Sequence, residues 1–138
     1  MFLLDTNVVS ELRRPDKADR GLAAWAAGAV PAELFISAIT LFELELGTLL
    51  AGRRDAAKGR VLRDWLDRQV TPAFVGRILP VDAAVAQRCA ALHVPDPRPQ
   101  RDSLIAATAL VHRLTVVTRN TRDFEPTSVA LLNPWTNG

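Results

Sequence analysis

The sequence predicts an α/β fold in which helices cover both faces of a mostly parallel central sheet. Short apolar runs that fit buried strands alternate with longer stretches of helical periodicity, and strands separated by helices usually pair in parallel. Acidic residues stand beside several apolar runs, near the points where strands would end. With 138 residues, 49% of them hydrophobic, the chain can form a sizeable core, and we expect one domain over residues 1–138.

Each predicted element rests on a local signal. The apolar run Phe2–Leu4 is typical of a buried strand, and Asp5 after it is a favourable helix cap. Glycine and proline mark the ends of helices, and apolar residues recur along them at helical spacing. In the amphipathic stretch over residues 54–74, we expect Val61, Leu62 and Trp65 to face inward.

Taken in chain order, these signals predict the following elements after the first strand. They are a helix to about residue 13, a helix over 19–27, a strand over 34–37, a helix over 38–50 that Gly52 closes, a long helical stretch over 54–74, a short strand over 77–81, a helix to about 93 that Asp82 caps, a proline-containing loop over 94–100, a helix over 103–112 that Asp102 opens, and strands over 114–117 and 129–132.

The charge and cysteine content exclude several classes of protein. The net charge is +2, and all but two of the 17 basic residues are arginine, which suits phosphate recognition but also follows from genomic base composition. A single cysteine, Cys89, excludes an internal disulfide and a thiolate zinc cluster, and we expect it to be a buried apolar residue. No apolar run is long enough to span a membrane, so we expect a cytoplasmic protein.

Four acidic residues stand where the loops of a parallel sheet come together. They are Asp5, Glu43, Asp102 and Asp123. Taken singly, Asp5 and Asp102 have simple explanations as helix-terminal acids, and Asp123 has one as a turn residue. Glu43 is harder to explain in that way, because it lies beside an apolar stripe that includes Leu46 and Leu50. Clustered carboxylates beside buried sequence require a cation, which predicts a divalent metal site and an enzyme acting on phosphate esters.

Small polar residues and two arginines surround the predicted acids. Hydroxyl and amide side chains at these positions orient carboxylates or metal-bound waters, or else cap helices and strand ends. Arginines beside the fourth acid suit nucleic-acid phosphates, or else are solvated loop charges. The polar residues are Thr6, Asn7, Ser37, Thr118 and Asn120, and the arginines are Arg119 and Arg122.

The sequence lacks the motifs of competing chemistries. It contains no P-loop, no nucleophile elbow and no dinucleotide-binding glycine motif. His93 and His112 lack ligand spacing and are expected to be capping or surface groups. A response-regulator receiver also uses acids at strand ends, but that fold requires a late lysine, and Lys17 and Lys58 are badly placed for it.

Several motifs follow one another along the chain. In order they are DTN after the first strand, SAITLFELELG, the D-x-x-IAATAL helix and VVTRNTRDF, with MFLLDTNVVSELRRP at the start and LLNPWTNG at the end. Together they resemble a PIN-domain ribonuclease, most closely the FitB-like branch of VapC-type toxins. The resemblance covers nearly the whole chain. Asp5, Glu43 and Asp102 match the acidic positions of the family directly. Many relatives have an acid where this chain has Asn120, so either Asn120 or Asp123 fills the fourth position.

The resemblance implies a three-layer α/β/α sandwich and Mg²⁺- or Mn²⁺-dependent cleavage of RNA by a toxin. It also implies a small antitoxin as partner, a homodimer, and operator DNA that is bound only through the antitoxin. We expect Asp5 and Asp102 to be the tightest metal ligands, with Glu43 and Asp123 completing the set. Two alternatives stay open: a DNA nuclease with a similar carboxylate site, and a mainly non-enzymatic partner of a DNA-binding antitoxin in transcriptional autoregulation. The sequence does not give the RNA target, the antitoxin or the number of metals.

Overall fold

The computed structural model describes residues 1–136 and has a five-stranded sheet in the order β3-β2-β1-β4-β5. Every pair of neighbouring strands is parallel, which confirms the predicted α/β class. Residues 137–138, the last two of the predicted domain and of the LLNPWTNG motif, lie outside the described residues. The strands are β1 (Phe2–Leu4), β2 (Leu34–Ser37), β3 (Ile78–Leu79), β4 (Thr115–Val117) and β5 (Leu131–Leu132).

Helices connect the strands and flank the sheet. Five of them begin after an Asp or Ser whose side chain accepts a hydrogen bond from a backbone N–H of the first turn, as N-cap residues do. These five caps are Asp5, Asp19, Ser37, Asp55 and Asp82. The helices are α1 (Thr6–Glu11), α2 (Arg20–Gly28), α3 (Ala38–Arg54), α4 (Ala56–Trp65), α5 (Thr71–Ala73), α6 (Ala83–Leu92), α7 (Gln100–His112) and α8 (Thr121–Phe124). None of the helices in residues 1–136 is long and apolar enough to cross a membrane.

The core lies on both faces of the sheet. Successive side chains of a strand point to opposite faces, so Leu3 and Leu4 of β1 belong to different clusters. Leu4 packs with residues of α1, α2 and α4, while Leu3 packs with Ile105 of α7 and Phe124 of α8. Cys89 is buried between α6 and α7, as predicted. This arrangement gives the three layers that the resemblance implied.

The largest difference from the sequence-based elements lies between α3 and α4. Gly52 does not close α3, which continues to Arg54, and Asp55 then ends α3 and caps α4. Gly52 and Gly59 face each other so closely that a Cβ added to Gly59 would lie 2.5 Å from the Cα of Gly52. This close approach lets α3 and α4 pack side by side. Two helical segments were predicted here, and the structure moves the break between them from Gly52 to Asp55. Val61 is 55% exposed, so its predicted inward position is wrong.

Helix bounds near the site also differ from those predicted. The helix α1 ends two residues early, at Glu11, and α7 begins at Gln100, so that Asp102 lies inside its first turn. The segment around Asp123 is a short helix, α8, rather than a turn. Phe124 beside it is 1% exposed and anchors this helix in the core.

The strand order creates a switch point between β1 and β4, where the direction of the chain across the sheet reverses. From β1 the chain moves in one direction to β2 and β3, and it then returns to place β4 on the other side of β1. The loops that follow β1 and β4 therefore diverge at the carboxyl edge of the sheet, and open α/β sheets bind ligands at such switch points. Asp5 follows β1 directly, and Thr118 follows β4 directly.

Candidate active site at the carboxyl edge of the sheet

Asp5 lies at this switch point and is tied to both neighbouring elements. It is only 6% exposed. Its Oδ1 accepts a hydrogen bond from the backbone N–H of Thr6 at 2.8 Å, and its Oδ2 accepts one from the hydroxyl of Thr118 at 2.9 Å. Thr118 is completely buried. The carboxylate is thus fixed between the start of α1 and the end of β4.

The environment of Asp5 disfavours its charged form. Burial raises the pKa of Asp5 above the usual 3.8, while the hydrogen bonds from Thr118 and Thr6 lower it. The nearby carboxylates of Asp102 and Glu43 raise this pKa further. Uncompensated negative charge therefore accumulates at this point, and a bound cation would relieve it.

Glu43, on α3, is held by contacts from two other helices. Its Oε1 accepts a hydrogen bond from the hydroxyl of Thr6 at 2.6 Å, and its Oε2 lies 3.5 Å from Nη1 of Arg101 on α7. The Thr6 hydroxyl also lies 3.1 Å from that of Thr40. The side chain of Glu43 is 25% exposed, and Leu50 on the expected apolar stripe is 51% exposed. The stripe is therefore not a continuous buried face.

Asp102 is electrostatically coupled to the other acids. It is partly buried in the first turn of α7, and burial is the largest cause that raises its pKa. Asp123 and Glu43 raise this pKa further by charge repulsion. Since Asp102 also raises the pKa of Asp5, it interacts by charge with each of the other three acids. The four sequence-predicted acids therefore share one electrostatic environment.

The two candidates for the fourth acidic position face different neighbours. Asp123 is exposed on α8, yet it is close enough to Asp102 to raise the pKa of that carboxyl. Asn120 donates its backbone N–H to Thr118 at 2.9 Å, and it lines a cavity of about 550 Å³ together with Asn7 and Arg119. Asp123 thus interacts by charge with another acid, whereas Asn120 contacts Thr118.

The structure places the other predicted residues as follows. Ser37 is completely buried, and its hydroxyl accepts the N–H of Ile39 at 3.0 Å, so it caps α3 and has no hydrogen bond to an acid within residues 1–136. Asn7, Arg119 and Arg122 are all exposed. Of these three, Asn7 and Arg119 line the same cavity wall.

Two residues near the acids were missed in the sequence. Arg101 precedes Asp102, but nothing in the local pattern shows that it meets α3. His93 occupies the C-cap position of α6, as expected of a capping group, and its Nε2 also lies 2.9 Å from the hydroxyl of Ser103 on α7. His93 Nδ1 also accepts the backbone N–H of Arg98 at 3.2 Å. It therefore fastens the loop before α7 to the turn that carries Asp102.

The side chains present fit a hard divalent cation. All four charged donors are carboxylates, which suit Mg²⁺ or Mn²⁺ better than softer metals. The raised pKa values of Asp5 and Asp102 mark the point where positive charge is needed most. Within residues 1–136, no three Asp, Glu, His or Cys side chains are already gathered closely enough to share a metal ion. Glu43 is instead turned toward Thr6 and Arg101.

Comparison with known proteins identifies a family for this chain. The family described as PIN domain matches residues 2–128. The chain belongs to the PIN-domain family. This membership confirms the resemblance drawn from the DTN, FELELG and IAATAL motifs.

Individual relatives match over almost the full length. The chain is 41% identical to Toxin FitB of Neisseria gonorrhoeae, with 98% of this chain and 99% of that protein covered. It is 36% identical to VapC ribonuclease Y4jK of Sinorhizobium fredii, with 98% of each covered. Among solved structures, the crystal structure of FitAcB from Neisseria gonorrhoeae superimposes with a TM-score of 0.90 at 40% identity, covering 99% of each chain. The chain therefore shares its fold with the matched chain of that structure and nearly its full length with both relatives.

Proposed function

We propose that this PIN-domain chain is a metal-dependent endoribonuclease that hydrolyses RNA phosphodiester bonds and acts as the toxin of a toxin–antitoxin pair. The observation that carries the proposal is the buried Asp5 at the switch point of the sheet, coupled by charge to Asp102 and Glu43. The relatives named as a FitB toxin and a VapC ribonuclease support the same activity. We place this activity in the cytoplasm.

In this proposal Asp5 and Asp102 hold Mg²⁺ or Mn²⁺, and Glu43 and Asp123 contact it directly or through water. The bound ion supplies a water of lowered pKa and neutralises charge on the phosphate. Thr118 and the Thr6 N–H fix the orientation of the Asp5 carboxylate. Both oxygens of Asp5 keep further lone pairs for a cation after these hydrogen bonds are made.

A first experiment tests the metal and the acids together. Cleavage of a single-stranded RNA should require Mg²⁺ or Mn²⁺ and stop in excess chelator. Asp102→Asn should lose cleavage and Mn²⁺ binding while staying folded, because the substitution keeps the shape and removes the charge. Arg88→Gln, a charge change on α6, which contributes none of the four acids, serves as the control. Full cleavage in chelator, or by Asp102→Asn, would refute the mechanism.

For the fourth position we propose Asp123 as the charged member, with Asn120 as an orienting group. The support is the charge coupling between Asp123 and Asp102, whereas Asn120 reaches Asp5 only through the Thr118 hydroxyl. Calorimetric titration with Mn²⁺ decides between them. Asp123→Ala should weaken binding more than Asn120→Ala, and the reverse order would exchange their roles.

We propose further that Arg119 and Arg122 bind RNA phosphates at the opposite side of the acids from α3. Both are exposed on the segment that follows β4. Arg119 lines the cavity of about 550 Å³ with the amide side chains of Asn7 and Asn120, a lining that suits a polar ligand. The double variant Arg119→Gln/Arg122→Gln should raise KM for RNA without weakening Mn²⁺ binding. An unchanged KM would remove this assignment.

The proposed antitoxin is supported by two cavities that share Trp65, which we take together as a groove. The first, of about 180 Å³, is lined mainly by apolar side chains of β1, α1, β2, α4 and residues 69–74. A second, of about 250 Å³, shares Trp65 and reaches Thr6 and Glu43. An antitoxin tail that lies in this groove and extends a basic side chain to Glu43 would displace the metal by charge competition. We propose a homodimeric toxin that reaches operator DNA only through this antitoxin.

The toxin role is tested in cells. Expression of the chain alone should slow growth, and co-expression of a neighbouring antitoxin gene should restore it. Equal growth at matched protein levels would refute the role. If growth slows while purified protein cleaves DNA and not RNA, the DNA nuclease is correct; if Asp102→Asn still slows growth, the effect is not enzymatic.

A further inference from the structure

Arg101 holds an unusual position at the edge of the acidic site. It precedes Asp102 on α7, and its Nη1 lies 3.5 Å from Oε2 of Glu43 on α3. Its guanidinium carbon lies 5.0 Å above the ring of Phe42, the residue before Glu43. The side chain of Arg101 is 51% exposed, and Phe42 is 50% exposed. A cation and an aromatic ring are thus fixed together at the rim of the acidic cluster.

Stability does not explain this arrangement. A half-exposed ion pair contributes little to folding, since solvent screens it. A large aromatic side chain that is half exposed contributes only part of its hydrophobic stabilisation. Phe42 instead restricts the guanidinium plane through a cation–π contact, while the other donors of Arg101 remain available to solvent. A guanidinium held in this way is organised for bidentate contact with a phosphate.

We propose that Arg101 binds a backbone phosphate of the RNA strand next to the bond that is cleaved, and that Phe42 positions its guanidinium for this contact. In the absence of RNA, Arg101 rests on Glu43. When a phosphate takes its place as the partner of Arg101, Glu43 becomes free to contact the metal. The inference rests on the proposed ribonuclease function and adds the residue that couples RNA binding to the release of an acid.

This coupling predicts opposite changes in two affinities for Arg101→Gln. Loss of a charged hydrogen-bonded contact should raise KM for RNA about tenfold or more. Loss of the competing cation beside Glu43 should tighten Mn²⁺ binding without RNA by about 1.5- to 5-fold, the range of an exposed ion pair. A variant that had merely lost structure would weaken both affinities.

The salt dependence of kcat/KM gives an independent measurement. The probe is a fluorescein-labelled single-stranded RNA oligonucleotide that the parent cleaves, assayed in saturating Mn²⁺ between 50 and 200 mM KCl, roughly the range over which phosphate contacts are usually measured. Loss of one phosphate contact should reduce the slope of log kcat/KM against log salt by about 0.7. Arg88→Gln, with the same charge change on α6, should leave slope and Mn²⁺ affinity unchanged. Arg101→Lys should retain the slope.

Phe42 has a separate signature as a positioning residue. Phe42→Leu keeps an apolar side chain but removes the ring face, so KM should rise while the salt slope stays at the parent value. Phe42→Trp keeps a ring face and should restore KM. A rise in KM with both substitutions would assign Phe42 a general packing role and overturn that part of the inference.

The remaining outcomes separate the inference from the proposed function. If Asp102→Asn abolishes cleavage but Arg101→Gln changes neither KM nor salt slope, the nuclease stands and the role of Arg101 is overturned. The same holds if Arg101→Gln raises kcat/KM, since the cation would then act only as an inhibitor of metal binding. If Asp102→Asn cleaves as the parent does, the ribonuclease assignment fails first.

Discussion

The hydrogen bond between Thr118 and Asp5 provides the sharpest test of how the site is built. Thr118→Val replaces the hydroxyl by a methyl group of nearly the same volume, so no cavity forms. Thr118 is completely buried, and its hydroxyl lies 2.9 Å from Oδ2 of Asp5, which is itself 6% exposed. Water therefore cannot readily replace the lost donor, and a hydrogen bond to a charged group contributes about 1.5–3 kcal/mol.

For a chain of this length, 1 kcal/mol corresponds to about 4 °C in Tm, so Thr118→Val should lower Tm by about 6–12 °C. Thr108→Val is a matched control. Thr108 is equally buried, but its hydroxyl donates to the carbonyl of Leu104 within the same helix at 2.8 Å, and that carbonyl is already engaged in the helix. We expect the control to lose less than about 1 kcal/mol.

Urea titration and thermal melting at pH 7 measure both variants. A double-mutant cycle of Thr118→Val with Asp5→Asn should show a coupling of about 1 kcal/mol or more, because both changes remove the same contact. Mn²⁺ binding should also weaken in Thr118→Val, since this hydrogen bond lowers the pKa of Asp5. If Thr118→Val costs no more than Thr108→Val, the buried hydrogen bond does not stabilise the site and the reasoning fails.

Three further predictions concern the scaffold. Gly59→Ala places a Cβ 2.5 Å from the Cα of Gly52, and this overpacking should lower the free energy of unfolding by about 1–3 kcal/mol. In Gly52→Ala the nearest atom to the new Cβ lies at 3.7 Å, so the higher helix propensity of alanine should raise the free energy of unfolding by up to about 1 kcal/mol. Equal effects of the two substitutions in urea titration would refute the close crossing. The pKa of Asp19 lies below 3.8, chiefly through the hydrogen bond from Thr136. The ionised Asp19 therefore stabilises the fold above pH 3.8, and this stabilisation is lost as the pH falls through the lowered pKa. In thermal melts, Tm of Asp19→Asn should fall less on acidification than Tm of the parent. His93→Ala removes a 2.9 Å contact to the start of α7 and should cost about 1 kcal/mol, and no change in Tm would exclude this role.

Local patterns predicted the parts of the fold that depend on neighbouring residues. The strand at Phe2–Leu4 and the cap at Asp5 follow from an apolar run and one acid, and both are found where expected. The break between α3 and α4 was predicted at Gly52 but lies at Asp55, because Gly52 stays inside α3 and packs against Gly59 of the next helix. No pattern within one helix carries that information.

The same limit applies to the candidate site. The four acids were recognisable because each lies next to buried sequence, and their charge coupling follows from the strand order. The contacts of Arg101 with α3 and of His93 with α7 join residues on different helices. Their local sequence is that of an exposed arginine and a helix-terminal histidine, so only the packing of α7 reveals them.

For Asp5, the observed helix cap leaves room for the proposed role as a metal ligand. One oxygen accepts the N–H of Thr6 and the other the hydroxyl of Thr118, and each retains a lone pair. Asp5→Asn therefore removes more than charge, because its amide nitrogen replaces one carboxylate oxygen and cannot accept the hydrogen bond made to that oxygen. Asp102 accepts no hydrogen bond of this kind within residues 1–136, and its raised pKa means that its charge opposes folding at neutral pH.

Asp5→Asn and Asp102→Asn should consequently differ in their effect on Tm when no metal is bound. Both should abolish Mn²⁺ binding and cleavage. Without metal, Asp5→Asn should lower Tm, while Asp102→Asn should keep or raise it, since the repulsion from Asp123 and Glu43 is relieved. Thermal melts in chelator measure this difference, and with Mn²⁺ at tenfold excess over Kd only the parent should gain about 1.4 kcal/mol of stability. A fall in Tm for Asp102→Asn equal to that of Asp5→Asn would mean that Asp102 supports the fold, and the division of roles between the two acids would be wrong.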